Sequence, residues 1–175
     1  MEQVILVDEQ DGEVGTMEKL QAHIEGKLHR AISVFIFNSR HELLLQQRAA
    51  GKYHSALLWT NTCCSHPRPG EDTAAAAHRR LQEEMGIACE LRSSFEFTYK
   101  AAVENDLTEY EYDHVYTGST DAQPGADATE VAAWRYIGIA QLKEEMAQAP
   151  ETFTTWFRIC IDQWQHKLFA QNIAL

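Results

Sequence analysis

The alternation of apolar and polar residues predicts six β-strands along the chain. These segments are rich in aliphatic, β-branched and aromatic residues, which is typical of strands. They span residues 4–7, 29–37, 43–48, 91–102, 109–118 and 131–137. The short turn between the second and third segments predicts a hairpin. After the first strand we expect an acidic turn through Gly12 and Gly15, followed by the stretch GTMEKLQAH, in which Lys19 and His23 are four residues apart.

Three further segments have the composition or spacing of α-helices. They span residues 72–85, 142–148 and 154–169. Asp72 or Thr73 can cap the first helix, and Gly86 suits the left-handed position just past its end. The third helix repeats apolar residues at the spacing of a buried helix face. Strands before and after the central helix predict an α+β fold, an α/β/α sandwich in which a mixed β-sheet lies between helical layers.

Composition and charge restrict the class of protein. The chain has 175 residues, 45% of them hydrophobic, which is enough for one domain with a substantial core. A net charge of -11 argues against nucleic acid as a partner, because phosphate binding needs a basic surface. No apolar run approaches the roughly 20 residues of a membrane span, and MEQVILVDEQ lacks a signal-peptide pattern. We therefore expect a cytoplasmic protein, and a monomer because no long apolar surface stripe is evident.

The four cysteines do not predict a disulfide framework in an intracellular chain of this size. Cys89 and Cys160 lie in apolar surroundings and are expected in the core. If Cys63 and Cys64 are extended, their side chains point to opposite faces, so only one thiol can face a site. Cys64 would share its face with His66, although a small buried apolar residue is the alternative interpretation of such a cysteine.

Two pairs of glutamates stand at positions that stability alone does not explain. Glu83 and Glu84 end the central helix, where the macrodipole disfavours negative charge, and two arginines precede them by four residues, the weaker orientation for helical ion pairs. A solvated helix face is the alternative interpretation. Glu109 and Glu111 share one face of a strand, where two carboxylates repel each other. That pair predicts either a solvent-facing edge or a bound cation.

The central helix and its flanks resemble the Nudix box, G-x5-E-x7-R-E-U-x-E-E-x-G-U, where U is aliphatic. Seven of the nine defined positions match, namely Glu71, Arg79, Leu81, Glu83, Glu84, Gly86 and Ile87. Ser65 stands in place of the first glycine, and Arg80 stands in place of the glutamate after the arginine. In Nudix hydrolases that glutamate helps to hold the catalytic magnesium. Arg80 therefore removes negative charge from the metal site and adds a group that can bind phosphate.

Motifs outside the Nudix box extend the resemblance over nearly the whole chain. They are Lys19, His23, His29, RAAGK at residues 48–52, WTNTCCSHP at 59–67, E-x-E at 109–111, and Trp156. Together they resemble type 1 isopentenyl-diphosphate isomerases, which have the Nudix fold, and TNTCCSHP is the specific part of the match. The resemblance implies an N-terminal segment at residues 1–26 that packs on the domain and supplies Lys19 and His23. It also implies a Nudix domain at 27–159 and the rest of the C-terminal helix with a tail at 160–175.

The same resemblance implies two metal sites and a diphosphate site. One manganese or zinc ion would be held by three imidazoles and two carboxylates, a mixed set that suits either ion. These ligands are His23, His29, His66, Glu109 and Glu111. A magnesium ion would lie between Glu84 and the diphosphate of the substrate, which is the usual habit of Mg²⁺. The charged residues implied to contact the diphosphate are Lys19, Arg48, Lys52 and Arg80.

The implied reaction moves a double bond and converts isopentenyl diphosphate to dimethylallyl diphosphate. Protonation of the alkene gives a tertiary cation, so the site needs an acid on one face, a base on the other, and no water. By resemblance, Glu111 donates the proton with the help of Tyr99, and Cys64 takes or relays the second proton. The π face of Trp156 can stabilise the cation, although Trp156 could equally be a core anchor.

Two other functions remain open from the sequence. A Nudix hydrolase would release phosphate or a monophosphate and would need a multi-carboxylate magnesium site, which Arg80 weakens. A non-catalytic metal-binding or diphosphate-binding module would leave Cys64, Tyr99 and Glu111 without a shared purpose. The isomerase hypothesis accounts for all three residues.

Overall fold

The computed structural model describes residues 2–170, which form one mixed β-sheet and the helices that cover it. The strands are β1 (Gln3–Val7), β2 (Glu13–Glu18), β3 (His29–Phe37), β4 (Leu43–Arg48), β5 (Trp59–Thr60), β6 (Cys63–Ser65), β7 (Leu91–Val103), β8 (Leu107–Ser119) and β9 (Val131–Ile137). The helices are α1 (Lys19–Glu25), α2 (Thr73–Met85), α3 (Ile139–Gln148) and α4 (Thr155–Ala170), with a short 3-10 helix at Pro150–Thr152. The predicted tail at residues 171–175 lies outside the described residues.

The sheet is centred on β3. This strand runs parallel to β8, with His29 opposite Glu111, and antiparallel to β6 and β1. β7 pairs with the other edge of β8, while β9 pairs with β4. The pairing of His29 with Glu111 places an imidazole beside a carboxylate through backbone register alone.

Alternate residues of β3 point into two separate hydrophobic cores. Phe35 and Phe37 pack with residues of α3 and α4, whereas Val34 and Ile36 pack with residues of α2. Helices therefore cover both faces of the mixed sheet. This arrangement confirms the predicted α/β/α sandwich and its α+β class.

The predicted hairpin of β3 and β4 is confirmed only at its turn, where Phe37 lies opposite Leu43. Beyond that pair, residues 59–65 separate the two strands, since β5 pairs with β4 and β6 pairs with β3. Thr62 bridges the gap, because its hydroxyl donates to the Leu44 carbonyl at 2.7 Å and accepts from the Ile36 amide at 2.9 Å. The segment WTNTCC is thus an inserted strand pair that fixes Cys64 between β3 and β4.

The ends of α2 are as predicted. The Asp72 carboxylate accepts from the Ala74 and Ala75 amides at 3.0 and 3.1 Å, so it satisfies two free N–H groups of the first turn. Gly86 ends the helix in the left-handed conformation with φ of 63°. A side chain there would also meet the Gly125 carbonyl oxygen at 2.7 Å. Both features fix where α2 begins and ends.

The prediction for the first 25 residues was partly wrong. The expected acidic turn is limited to residues 8–12, and Glu13–Glu18 forms β2, which pairs with β1. β2 is mostly exposed and has no apolar face, so its sequence lacks a strand pattern. The Glu18 carboxylate caps α1 by accepting from the Gln21 amide at 2.8 Å. α1 then places Lys19 and His23 one turn apart.

Within residues 2–170, no helix has both the length and the apolar character needed to cross a bilayer. All four cysteines are free thiols, with Cys63 and Cys160 buried and Cys64 and Cys89 partly exposed. The expectation that Cys160 lies in the core is confirmed, and Cys89 packs at the margin of the α2 core.

Candidate active site

A polar cavity of about 290 Å³ lies where the inserted strands, α2 and β8 meet. This volume is near the lower end of the usual range for small-molecule sites, roughly 300–1,000 Å³. Its wall contains most of the residues singled out from the sequence, drawn from both layers of the sandwich. Those predicted residues are Lys19, His23, Arg48, Lys52, Cys64, His66, Arg80, Glu84, Tyr99, Glu109, Glu111 and Trp156. Cys63 is absent from this wall and is buried in the α2 core, as expected if only one thiol of the pair faces the site.

Three imidazoles meet at one side of the cavity, where His23 and His66 line the wall and the predicted ligand His29 is buried behind it. The ring centroids of His23 and His29 are 4.9 Å apart, and those of His29 and His66 are 5.0 Å apart. The Nδ1 atoms of His23 and His29 lie 2.7 and 2.8 Å from the carbonyl oxygens of Lys19 and Lys27. Since a carbonyl oxygen only accepts, both Nδ1 atoms carry the proton and both Nε2 atoms keep a lone pair.

Glu111 completes this group. Its Oε1 lies 3.1 Å from His66 Nε2 and 3.6 Å from His29 Nε2, and the two Nε2 atoms are 3.2 Å apart. Each of His23, His29, His66 and Glu111 offers a ligand atom within 4.8 Å of the others. In a site with metal bonds of about 2.1 Å, adjacent ligand atoms lie about 3.0–3.4 Å apart. The donor types and their spacing therefore fit a divalent transition-metal ion.

Glu109 lies beside this group rather than within it. The ligand atoms of Glu109 cluster with those of His23 and His54, so the two groups overlap at His23. The Tyr99 hydroxyl connects the two carboxylates, because it donates to Glu111 at 2.6 Å and lies 3.3 Å from Glu109. Thus four of the five residues implied as manganese or zinc ligands form one compact group, and the fifth stands next to it.

The protein provides little positive charge to offset the carboxylates of Glu109 and Glu111 on β8. Burial and the charge of Glu111 raise the pKa of Glu109 well above its ordinary value. Burial also acts to raise the pKa of Glu111, but the close contacts of its carboxylate with the His29 and His66 rings lower it well below its ordinary value. Because the two pKa shifts have opposite directions, Glu111 loses its proton before Glu109 does. Burial lowers the pKa of His66 to about 4, so this imidazole is neutral and its lone pair can bind a cation.

Cys64 and Trp156 form another part of the wall. Burial raises the pKa of Cys64 to about 12, so its thiol holds its proton at neutral pH. The indole of Trp156 is buried and its Nε1 donates to Asn61 Oδ1 at 3.3 Å. Trp156 packs in the α4 core and also lines the cavity. Its position therefore agrees with both interpretations made from the sequence, a core anchor and a residue of the site.

Comparison with known proteins agrees with these motifs. The NUDIX domain family model matches residues 27–157. An isopentenyl-diphosphate Delta-isomerase of Pectobacterium atrosepticum is 53% identical, over 93% of this chain and 93% of that protein. Isopentenyl-diphosphate Delta-isomerase 1 of Aromatoleum aromaticum is 53% identical, over 93% of this chain and 92% of that protein. This chain belongs to the isopentenyl-diphosphate Delta-isomerase family of Nudix proteins.

Solved structures with low sequence identity show the same fold. A Deinococcus radiodurans protein superposes with a TM-score of 0.71 at 20% identity, covering 84% of this chain and 90% of that chain. A MutT protein of Methanosarcina mazei gives a TM-score of 0.65 at 16% identity, covering 85% of this chain and 96% of that chain. The Nudix fold predicted from the sequence is therefore confirmed.

Both departures from the Nudix box, Ser65 and Arg80, lie in the wall of the cavity. Arg80 donates to Glu84 at 2.5 Å and to Glu83 at 2.6 Å. Glu84 is 3% exposed and also accepts from the Gln46 amide at 2.8 Å. The arginine that replaces the usual glutamate thus neutralises the buried glutamate one turn later in the helix.

Two other cations of the cavity wall, Lys52 and Lys19, are paired with carboxylates, and a third, Arg48, is bonded to backbone carbonyls. Lys52 contacts Glu130, which lies 3.4 Å from Arg80 as well. Lys19 contacts Glu2 at 2.6 Å. Arg48 is buried and its guanidinium donates to backbone carbonyls of the loop at residues 49–58. Among the four predicted phosphate contacts, Arg48 therefore differs in that its guanidinium makes hydrogen bonds to the backbone of this loop.

Several residues of the cavity wall were not predicted as site residues from the sequence, among them His54 and Glu130. His54 stands in an irregular loop two residues after Lys52, and Glu130 ends the loop before β9. Neither position has a periodic pattern or a chemical motif of its own. Their roles depend on contacts between residues far apart in the chain, such as Glu130 with Lys52.

Proposed function

We propose that the protein interconverts isopentenyl diphosphate and dimethylallyl diphosphate, the reaction named in its relatives. The observation that carries this proposal is the meeting of Cys64, Tyr99, Glu111 and Trp156 in one cavity whose mouth is lined with cations. A hydrolase needs a water site and several carboxylates around magnesium. This cavity instead offers two separated proton-carrying groups and an aromatic ring.

The diphosphate binds at the mouth of the cavity in this proposal. Lys19, Lys52 and Arg80 now contact Glu2, Glu130 and Glu84, and a diphosphate would compete for these cations with multiple oxygens. Arg48 adds positive charge from inside the wall. Glu84 is the carboxylate available to a magnesium ion that also contacts the diphosphate.

The double-bond shift needs one proton to arrive and another to leave. A proton added to the terminal alkene carbon gives a tertiary cation, and loss of a proton from the carbon nearer the diphosphate forms the new double bond. Glu111, with the Tyr99 hydroxyl at 2.6 Å, is the proposed donor, and Cys64 is the proposed acceptor or relay. Because Cys64 is a protonated thiol and Glu111 is ionised in the free protein, both must exchange a proton before acting in these directions.

Trp156 and the metal ions complete the proposed site. The indole ring presents its π face to the developing cation, and its burial helps to exclude water. A transition-metal ion at the imidazoles would increase the acidity of Glu111, and magnesium at Glu84 would offset the diphosphate charge.

The test is a proton NMR assay of the full chain with isopentenyl diphosphate and Mg²⁺ in D₂O. We expect deuterated dimethylallyl diphosphate from the wild type and from Cys89→Ala, whose thiol lies at the edge of the α2 core. Cys64→Ala should lower the rate by about 10²–10⁴-fold, the usual contribution of a positioned acid or base.

Two outcomes would overturn this function. Release of phosphate or prenyl monophosphate without a shift of the double bond would identify a Nudix hydrolase, and the roles of Cys64 and Glu111 would be withdrawn. Binding of the diphosphate with no product from any variant would identify a non-catalytic module. The choice between manganese and zinc, the monomeric state and the cytoplasmic location stay predictions.

A further inference from the structure

His54 is a fourth imidazole at the cavity, and the motifs of the family resemblance do not include it. It lies in the loop between β4 and β5 and is 5% exposed. Its ring centroid is 5.7 Å from that of His23. Its Nε2 lies 3.5 Å from Glu109 Oε1. His54 therefore extends the imidazole cluster toward the carboxylate that stands outside the first group.

The loop holds the His54 ring in place. Arg48 donates to the carbonyl oxygens of His54 and Ser55 at 3.2 and 3.1 Å. The Ser55 amide donates to Glu104 at 3.0 Å, and Ser55 has a left-handed backbone with φ of 50°. Such a conformation is costly for a residue other than glycine and is maintained only by surrounding contacts. The ring itself packs edge-on against Trp156, with centroids 6.1 Å apart.

The spacing of His54 and Glu109 suits two ligands of one ion better than a hydrogen bond. A separation of 3.5 Å exceeds the normal N···O hydrogen-bond range of about 2.7–3.2 Å. It is close to the distance between adjacent ligand atoms in a site with metal bonds of about 2.1 Å. His23, His54 and Glu109 each offer a ligand atom within 4.8 Å of the others.

We propose that His54 is a further ligand of the transition-metal ion, which is then held by four imidazoles and two carboxylates. His23 belongs to both groups of ligands, and its Nδ1 proton is donated to the Lys19 carbonyl. It has one lone pair to give and cannot bridge two ions. In this structure His54 and Glu109 lie outside the 4.8 Å group that contains His29, His66 and Glu111. One ion shared by both groups would lie between them, and its binding would draw His54 and Glu109 inward.

Six protein ligands fill an octahedral coordination sphere, and this has a consequence for the proposed function. Catalytic zinc sites leave a position open for water or substrate, whereas a filled sphere leaves none. The residues of this site would then act on the substrate only through Glu111 and Tyr99. The inference takes the metal site of the proposed function as its starting point and does not depend on the reaction.

The test counts imidazole ligands in the full chain loaded with one equivalent of Co²⁺, which stands in for zinc or manganese. Each ligating imidazole has one exchangeable ring N–H, whose proton NMR signal the paramagnetic ion shifts far from the normal range. We expect four such signals in the wild type and three in His54→Gln. The matched control, His78→Gln on the exposed face of α2, should keep four. Three signals in the wild type, or no loss in His54→Gln, would overturn the proposal.

Two further measurements keep the test decisive if His54→Gln folds poorly. Equilibrium dialysis of the wild type with Co²⁺ should give one tightly bound ion at the imidazoles, and two such ions per chain would contradict the shared site. In zinc-loaded wild type with ¹⁵N-labelled histidine, four ligated ring nitrogens are expected, and three would refute a role for His54. Neither measurement contains substrate. The isomerase proposal can therefore fail while the four-imidazole site is confirmed, and the four-imidazole site can fail while the isomerase proposal is confirmed.

Discussion

Two pairs of glutamates, each with at least one member in the cavity wall, have different kinds of partner. On α2, Glu83 and Glu84 contact Arg80 at 2.6 and 2.5 Å, so the pair is balanced by a cation of the same helix. On β8, the partners of Glu109 and Glu111 are imidazoles and the Tyr99 hydroxyl in place of a guanidinium. Three of the four carboxylates are similarly buried, since Glu84, Glu109 and Glu111 are 3%, 3% and 8% exposed, whereas Glu83 is exposed.

The difference shows which end of the cavity is complete without a ligand. A buried carboxylate without a cation is costly, and the usual response is protonation or metal binding. The α2 end already has its counter-charge and can exchange it for a substrate. At the β8 end the charge of Glu111 raises the pKa of Glu109, so we expect a cation to complete this end of the cavity.

The largest expected effect comes from removing the charge of the β8 pair. Glu111→Gln should lower isomerisation by about 10³-fold, because the amide can neither donate the proton nor balance a metal ion. The rate is measured by deuterium incorporation in D₂O at saturating Mn²⁺ and Mg²⁺. The control is Glu96→Gln on β7, an exposed carboxylate outside the cavity. Activity of Glu111→Gln within tenfold of the wild type would remove Glu111 from the reaction.

The second expected effect concerns the balance of the α2 pair. Arg80→Met should lower the free energy of unfolding by about 3 kcal/mol, because Glu84 would keep a buried charge whose remaining partners, such as the Gln46 amide, are uncharged. Urea denaturation gives the value. Arg80→Met combined with Glu84→Gln should recover most of the loss, since no charge is then left unpaired. An equal loss in both variants would mean that Arg80 stabilises by packing and not by charge.

The sequence predicted the α2 end better than the β8 end for a physical reason. The contacts of α2 are local: Asp72 caps the amides two and three residues on, and Arg80 meets Glu84 one turn away. Helical spacing makes such pairs readable from sequence. The partners of Glu111 come from residues 29, 66 and 99, so their meeting depends on sheet register and on the inserted segment 59–65.

The inserted segment also explains why some residues of the fold and of the site could not be predicted from the sequence. The turn after β3 predicts a hairpin, and nothing in the local pattern shows that Thr62 will separate the two strands. His54 precedes this segment in a loop shaped by Arg48 and Glu104, residues that meet only in the folded chain. The family resemblance supplied the other imidazoles because they stand at motif positions, and His54 does not.

A third, smaller effect tests whether the β8 end depends on a cation. A divalent ion at 100 times its dissociation constant should stabilise the wild type by about 2.7 kcal/mol, seen as a rise in melting temperature by calorimetry. Glu109→Gln should reduce this gain while leaving the metal-free protein no less stable, since the amide resembles the protonated Glu109. A metal-free variant that is clearly less stable would show that Glu109 is ionised and compensated by the protein itself.

The smallest effect lies at the other end of α2, where the Nudix positions Glu71 and Arg79 pair through two contacts of 2.6 and 2.7 Å. The hydrogen bond from Arg79 lowers the pKa of Glu71, although partial burial opposes this. A carboxyl group with a lowered folded-state pKa adds stability above its unfolded value of 4.5 and loses it as the pH falls below that value. Glu71→Gln should therefore cost about 1 kcal/mol at pH 7 and progressively less below pH 4.5, measured by urea denaturation across that range.

If the charges of α2 are balanced by such local pairs, Glu71→Gln should leave the metal-dependent stabilisation of the β8 end unchanged. A pH-independent cost would assign the role of Glu71 to its contact with the Arg68 amide instead.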